Sequence, residues 1–171
     1  MDDVLVIGGG AAGLSAALFT AKNGLETTVV DADDTWLHKA HLFNYLGIES
    51  EDGTEFVEDA REQVESFGAT LVAGTVEAVE DAADGFRATT VDGEEYEGRY
   101  LVLATGAKRG LAEDLGCAFD GDVVDATVSM ETSVENVYAT GAMVRAEEWQ
   151  AIISAGDGAA AALNILSAEK G

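Results

Sequence analysis

The sequence predicts an α/β fold: a Rossmann-like domain with a central parallel sheet and an antiparallel β-meander. Three observations predict it. The apolar run Val4-Leu5-Val6-Ile7 breaks into Gly8-Gly9-Gly10-Ala11-Ala12-Gly13 and restarts as a small-residue helix from Leu14 to Gly24. A second strand, Thr27-Thr28-Val29-Val30, follows at once and ends in Asp31. Much later, Tyr100-Leu101-Val102-Leu103 is apolar throughout, as a strand covered on both faces must be.

The glycine run carries the chemistry. A strand that gives way to glycines and resumes as a helix aims backbone N–H groups and the positive end of the helix dipole at one point, which suits a pyrophosphate. Gly8 permits the tight turn, Gly10 leaves room for phosphates at the backbone, and Gly13 lets the helix lie close on the strand. Asp31 stands near the spacing at which an acid accepts the hydroxyls of an adenosine ribose. A carboxylate there repels a 2′-phosphate, so FAD or NAD is favoured over NADP. The competing role for Asp31 is a solvated acid beside Asp33 and Asp34.

Beyond Asp31, Thr35 to Gly47 is aromatic and without clear period, a loop with a helical turn that forms the variable wall of a site. An amphipathic helix runs from Thr54 to about Phe67, with Phe56, Ala60, Val64 and Phe67 on one face and Gly68 closing it. Ala69 to Val79 reads as a strand interrupted at Gly74. Phe86 to Val91 and Glu94 to Tyr96 form a hairpin about Asp92-Gly93. The strand Tyr100 to Leu103 ends at Ala104-Thr105-Gly106-Ala107, opening onto the same crevice as Gly8. Lys108 to Asp122 holds a short helix. Val123 to Val128 and Val137 to Thr140 are further strands, and a helix from about Glu148 to Ser167 closes the chain. Gly156 and Gly158 are poor helix formers, which predicts close approach to the sheet or ligand. Without linker or repeat, residues 1–171 read as one domain.

Composition sets the environment. The 171 residues carry 33 Asp plus Glu against 9 Lys plus Arg, a formal net charge of -24. With 47% hydrophobic residues the chain has a core to fold around, so the acidity reads as adaptation to molar salt rather than disorder, with a surface that docks a basic partner as the alternative. Such a surface disfavours nucleic acid and anionic membranes as partners. No run reads as long and apolar enough to span a membrane, and the start leads straight into a strand, so the expected location is cytoplasmic. The lone Cys117 makes no internal disulfide and reads as a small buried hydrophobe. His38 and His41 have no metal-ligand pattern around them, and either pack or touch a bound ring. No side chain presents itself as a general base, and no catalytic residue is assigned.

Three separated pieces then agree with one family. Val4 to Gly13 with Asp31, Leu101-Val102-Leu103-Ala104-Thr105-Gly106-Ala107, and Thr132 to Gly141 together resemble the FAD domain of thioredoxin reductase-like flavoproteins of the pyridine nucleotide-disulfide oxidoreductase family. Asn44-Tyr45-Leu46-Gly47 is similar to the family's Asn-aromatic-Pro-Gly. The resemblance implies pyrophosphate contacts from Gly8, Gly10, Ala11, Ala12 and Gly13, a ribose contact from Asp31 and a backbone contact to adenine from Val76. It implies a loop over the cofactor from Ala104, Thr105 and Gly106, a place for Asn44 near the flavin ring, and a site segment at Gly141 and Ala142. Gln150 and Ala151 would present a helix N-terminus to the flavin pyrimidine oxygen.

The departures are equally specific. The resemblance leads one to expect a nicotinamide domain with a second glycine fingerprint and a Cys-x-x-Cys pair between the Ala-Thr-Gly strand and the return to the FAD fold; here Gly106 to Thr132 has no room for it. Gly141-Ala142 stands for the family's Gly-Asp, Trp149 for a common Arg and Leu46 for Pro, which predicts weaker FAD binding or an altered flavin end. The first expectation is a small FAD-binding oxidoreductase supplied by a separate electron-donor protein or free NAD(P)H. The second is a non-catalytic FAD- or nucleotide-binding module, and a third places NAD in the site. The resemblance further implies a homodimer.

Overall fold

The computed structural model describes residues 1–171. β1 (Asp2–Ile7) leads through the glycines into α1 (Ala11–Lys22) and returns as β2 (Thr27–Asp31), parallel to β1 with Val4 opposite Thr27. A 3-10 turn, Trp36–Lys39, follows the Thr35 cap, confirming the helical turn expected there. Two short strands that no periodicity signals, β3 (His41–Leu42) and β4 (Glu51–Asp52), then pair antiparallel. The Asp52 carboxylate caps α2 (Gly53–Ser66) by accepting from the Thr54 N–H at 2.9 Å. Its buried residues are Gly53, Val57 and Val64. Phe67, expected on the inner face, is 44% exposed because the helix has already ended; the Lys22 ammonium lies 5.7 Å from its ring centre.

Gly74 separates two strands rather than interrupting one. β5 (Thr70–Ala73) is the parallel edge beside β2, whereas β6 (Val76–Ala82) begins the antiparallel meander with β7 (Gly85–Thr90). β8 (Glu95–Leu103) merges two stretches that read separately. Its first half pairs antiparallel with β7, and β1 runs parallel along its other side from Gly98 on. Gly98 permits the junction, since a Cβ there would lie 2.6 Å from the Leu5 Cβ.

After β8 come α3 (Gly110–Asp114) and a small ladder of β9 (Phe119–Asp120) with β10 (Val123–Val124). The strand expected to reach Val128 therefore stops at Val124, and Val128 is 93% exposed with no neighbouring strand to cover it. β11 (Val137–Ala139) pairs parallel with the end of β8, and α4 (Ala151–Glu169) closes the chain, starting three residues later than expected. The resulting order is β5-β2-β1-β8-β7-β6, with β11 also on β8.

Alternate residues of the central strands face opposite layers, as the two-residue strand period requires. Val4, Val6, Val29, Val102 and Tyr138 pack with α1, α2 and α4 through Leu14, Ala17, Val57 and Ile165. Leu5, Ile7, Val30, Leu101 and Leu103 pack against the meander, α3 and the small ladder through Val79, Phe86, Ala112 and Val124. Each of these large buried side chains contributes roughly 1.5–3 kcal/mol.

α4 corrects a second expectation: its 19 residues hold an 18-residue window with a mean hydropathy of 1.4 and suffice, by length and composition alone, to cross a membrane. The apolarity has a packing cause on its inner side, where Ala161, Ala162 and Ile165 are buried. Its one interior carboxylate, Asp157, is 5% exposed and gripped by both ends of the Arg145 guanidinium at 2.7 and 2.8 Å. Gly158 is where α4 meets α1, so the close approach is to a helix. A Cβ on Gly156 would have nothing within 4 Å, so this glycine does not serve that purpose.

Candidate nucleotide-binding site

Parallel strands deliver their carboxyl ends to one edge of the sheet, and a cavity of about 990 Å³ lies there, beyond the ends of β1, β2, β8 and β11. It is lined by Gly8, Gly10, Ala11, Ala12, Asp31, Asn44 and Val76, and by Ala104, Thr105, Gly106, Gly141, Ala142, Gln150 and Ala151. These are the residues that the sequence pointed to, Gly13 excepted. Gly13 sits beneath the loop, where a Cβ would fall 1.8 Å from the Gly8 carbonyl oxygen; it packs helix on strand and does not line the cavity.

The cradle is tight for steric reasons. Gly8 has φ +106°, and a Cβ on it would meet the Ala104 carbonyl oxygen at 2.3 Å. On the far side a Cβ at Gly10 would lie 3.1 Å from the Thr35 hydroxyl. Between these walls the N–H groups of Ala11, Ala12 and Gly13, in the first turn of α1, have no acceptor in the protein.

Asp31 is half-buried and held from two directions. Its Oδ1 accepts from the Gly9 N–H at 2.8 Å, and its Oδ2 accepts from Arg61 at 2.5 Å. Arg61 also donates to Asp33 at 2.7 Å, and His38 reaches the same Asp33 oxygen at 2.8 Å. The hydrogen bonds from His38 and then Arg61 hold the Asp33 carboxyl below its usual range. Burial pulls Arg61 down, but its bonds to Asp33 and Asp31 outweigh this and raise it. The Asp31 carbonyl accepts from the Gly74 N–H at 2.9 Å, which ties the Gly74 to Glu77 wall to the same point.

A match to the family model for pyridine nucleotide-disulphide oxidoreductases covers residues 2–113, well over half of the chain. The chain belongs to this family. Thioredoxin reductase of Aquifex aeolicus is 38% identical over 109 residues, 61% of this chain and 34% of that protein. The chain thus spans about a third of the length of the curated relatives it matches. Among solved structures, thioredoxin reductase from Streptococcus pyogenes superposes with a TM-score of 0.92 at 15% identity, over 99% of this chain and 98% of that one. The atypical thioredoxin reductase TRi from Desulfovibrio vulgaris gives 0.91 at 20% identity, over 99% and 98%. At such identities the likeness establishes the fold.

The family match ends before the second wall of the cavity. Gly141 and Ala142, in a 3-10 turn just after β11, and Gln150 and Ala151, at the start of α4, are brought in by the fold. Arg109 fixes that wall, donating to the carbonyl oxygens of Met143 at 2.9 Å and Ala142 at 2.5 Å. The mouth is spanned by three contacts between distant segments. Lys108 pairs with Asp34, Trp36 and Trp149 lie with ring centres 5.0 Å apart, and Asn44 donates to Gln150 at 2.9 Å.

His38 is bonded to Thr54 and Asp33, whereas His41 lines the cavity, bonds Ser50 at 2.9 Å and lies 4.5 Å from the Phe43 ring. Cys117 is buried, its thiol pushed up by burial, as expected of a packing residue. Sequence reasoning missed Gly9 and Arg61. A Cβ on Gly9 would strike the Asp31 carboxylate at 2.4 Å, and the middle position of three glycines is a signal that could have been read. Arg61 offered none, being one charge on an acidic helix.

Proposed function

We propose that this chain binds FAD across the sheet edge and works as a small flavoprotein oxidoreductase, supplied with electrons by a separate donor protein or by free NAD(P)H. The observation that carries the reading is convergence: six separate stretches of the sequence line one cavity whose waist is a row of unpaired N–H groups. Its volume is at the upper end of the range for small-molecule and cofactor sites. The donor set fits an extended dinucleotide: Val76 and the adjoining strand start at the adenine end, Asp31 at the ribose, and the N–H groups of Ala11 and Ala12 at the pyrophosphate. At the other end, Ala104 to Gly106 and Asn44 flank the ring position. The first-turn N–H groups of α4, after Gln150, have no protein acceptor and would hold negative charge on the ring.

Bound FAD supplies the hydride or electron transfer; the protein binds, orients and tunes it. Only α3 and the β9–β10 ladder separate β8 from β11, which supports a donor from outside this stretch of chain. One observation favours the second reading, a non-catalytic FAD- or nucleotide-binding module: Ala142 puts a methyl group where the resemblance leads one to expect a carboxylate. The same reading includes a homodimer in a salt-rich cytoplasm, supported by the resemblance and by the net charge of -24.

The test is the visible spectrum of the full chain purified in molar salt, before and after FAD and then NADH. A yellow protein bleached by NADH or by a reduced donor protein supports the oxidoreductase. Colour that neither reductant bleaches supports the module. Protein that stays colourless after reconstitution overturns both flavin readings.

A further inference from the structure

We propose that Trp36 and Trp149 form a stacking platform at the mouth of the cavity, which selects a dinucleotide carrying a flat aromatic ring at the end remote from its adenine. The proposal rests on the nucleotide reading above and deepens it by naming the side chains that recognise the ring. Among the Phe, Tyr and Trp residues of the chain only these two line the cavity, and they are its only tryptophans. The resemblance gives neither of them a role and leads one to expect an Arg in place of Trp149.

The two rings come from segments on opposite sides of the mouth and meet with centres 5.0 Å apart and planes inclined at 51°. Each stands on a fixed support. Trp36 opens the 3-10 turn capped by Thr35, and that turn is pressed onto the start of α2, where a Cβ on Gly53 would lie 1.9 Å from the Leu37 carbonyl oxygen. Trp149 donates its indole Nε1–H to the Arg145 carbonyl at 2.9 Å, and Arg145 is anchored on the buried Asp157. The indoles are thus ordered before a ligand arrives, which lowers the entropy cost of binding one. Yet Trp36 keeps 52% of its surface exposed and Trp149 44%. Packing alone would bury such large apolar rings; here the contact leaves ring surface free where the cavity opens. Asn44 and Gln150, bonded at 2.9 Å across the same mouth, place the pair beside the ring position assigned above. An indole is electron-rich, whereas an oxidised flavin or nicotinamide ring is electron-poor, so a stack between them gains from electrostatics as well as dispersion. A bare ribose offers no such face.

The experiment measures binding of FAD, NAD and ADP-ribose to the full chain by calorimetry in molar salt. ADP-ribose keeps the adenosine and the pyrophosphate but carries no second ring. Wild type is expected to bind FAD or NAD about tenfold or more tightly than ADP-ribose, as one stacked ring allows. Trp36→Leu with Trp149→Leu should remove most of that preference, whereas Trp36→Phe with Trp149→Phe, which keeps two flat rings, should retain it. Circular dichroism checks that each variant folds. A long-wavelength charge-transfer absorbance of bound FAD, lost in the folded Leu variant, would identify the flavin as the stacked ring; loss of preference for NAD alone would identify the nicotinamide. A preference that survives in the folded Leu variant, or a loss that falls equally on ADP-ribose, overturns the proposal alone. Wild type that binds none of the three overturns the nucleotide reading and the proposal with it.

Discussion

Gly158 of α4 lies so close to Ala12 of α1 that a Cβ on it would sit 2.0 Å from the Ala12 carbonyl oxygen. The contact joins the helix that closes the chain to the first turn of the helix that forms the nucleotide cradle. Gly158→Ala must push the two backbones apart, and we expect it to cost about 1–3 kcal/mol in denaturant unfolding and to weaken FAD binding. Gly156→Ala, two residues away with nothing near it, should instead stabilise by about 0.5–1 kcal/mol through helix propensity. Equal effects of the two changes would show that the α1–α4 contact is looser than the geometry requires.

The contrast between Gly158 and Gly156 shows how far the sequence was legible. Gly8, Gly13 and Asp31 could be placed from local order because a strand, a tight turn and a helix follow one another along the chain. Helix propensity marks both Gly156 and Gly158, but only the packing of α4 on α1 tells which one is needed. The same holds at the site. Asn44 and Gln150 are 106 residues apart and Arg61 is 30 from Asp31, so no local pattern pairs them. Where β8 runs unbroken from Glu95 to Leu103, a polar first half and an apolar second half read as two elements because the strand changes neighbours midway.

Ala142 is buried against the cavity, with its carbonyl held by Arg109. Ala142→Asp would set a carboxylate at the wall next to the ribityl position, where the resemblance leads one to expect it. FAD should bind about tenfold more tightly, as one charge-assisted hydrogen bond allows. Titration of flavin fluorescence reads the change, and an unchanged or lower affinity would mean that this wall does not face the cofactor chain.

The end of α4 is tied to the sheet by charge. Arg99 donates to Glu169 at 2.6 Å and to Asp3 at 2.9 Å, and the Tyr100 hydroxyl donates to Glu169 at 2.7 Å. The bonds from Arg99 and then Tyr100 hold the Glu169 carboxyl below its ordinary value. A carboxyl lowered in the folded state stabilises the fold above its unfolded pKa, and that contribution disappears as the pH falls through the folded value. Thermal unfolding of wild type and Glu169→Gln should therefore differ by a constant amount above the ordinary glutamate pKa of about 4.3 and converge as the pH falls through the lower folded value. The gap should be at most about 1 kcal/mol, since the network is partly exposed to solvent. A gap that widens in acid would contradict the assignment.

Only nine of the 33 acidic side chains have a cationic partner within 4.0 Å. Of the cations outside these pairs, Arg109 is committed to backbone carbonyls and Lys22 lies over a ring. Most carboxylates thus face one another across solvent, and only mobile counterions can relieve them. At molar salt the screening length falls to roughly 3 Å, and in dilute buffer it exceeds about 10 Å. Unfolding temperature should therefore climb steadily with potassium chloride, and the far-ultraviolet circular dichroism of the native state should fade on dialysis into low salt. Replacing chloride by sulfate at equal ionic strength separates screening from the salting-out of apolar surface, which sulfate strengthens more. A native signal that persists after desalting would mean that the packed core alone outweighs the repulsion.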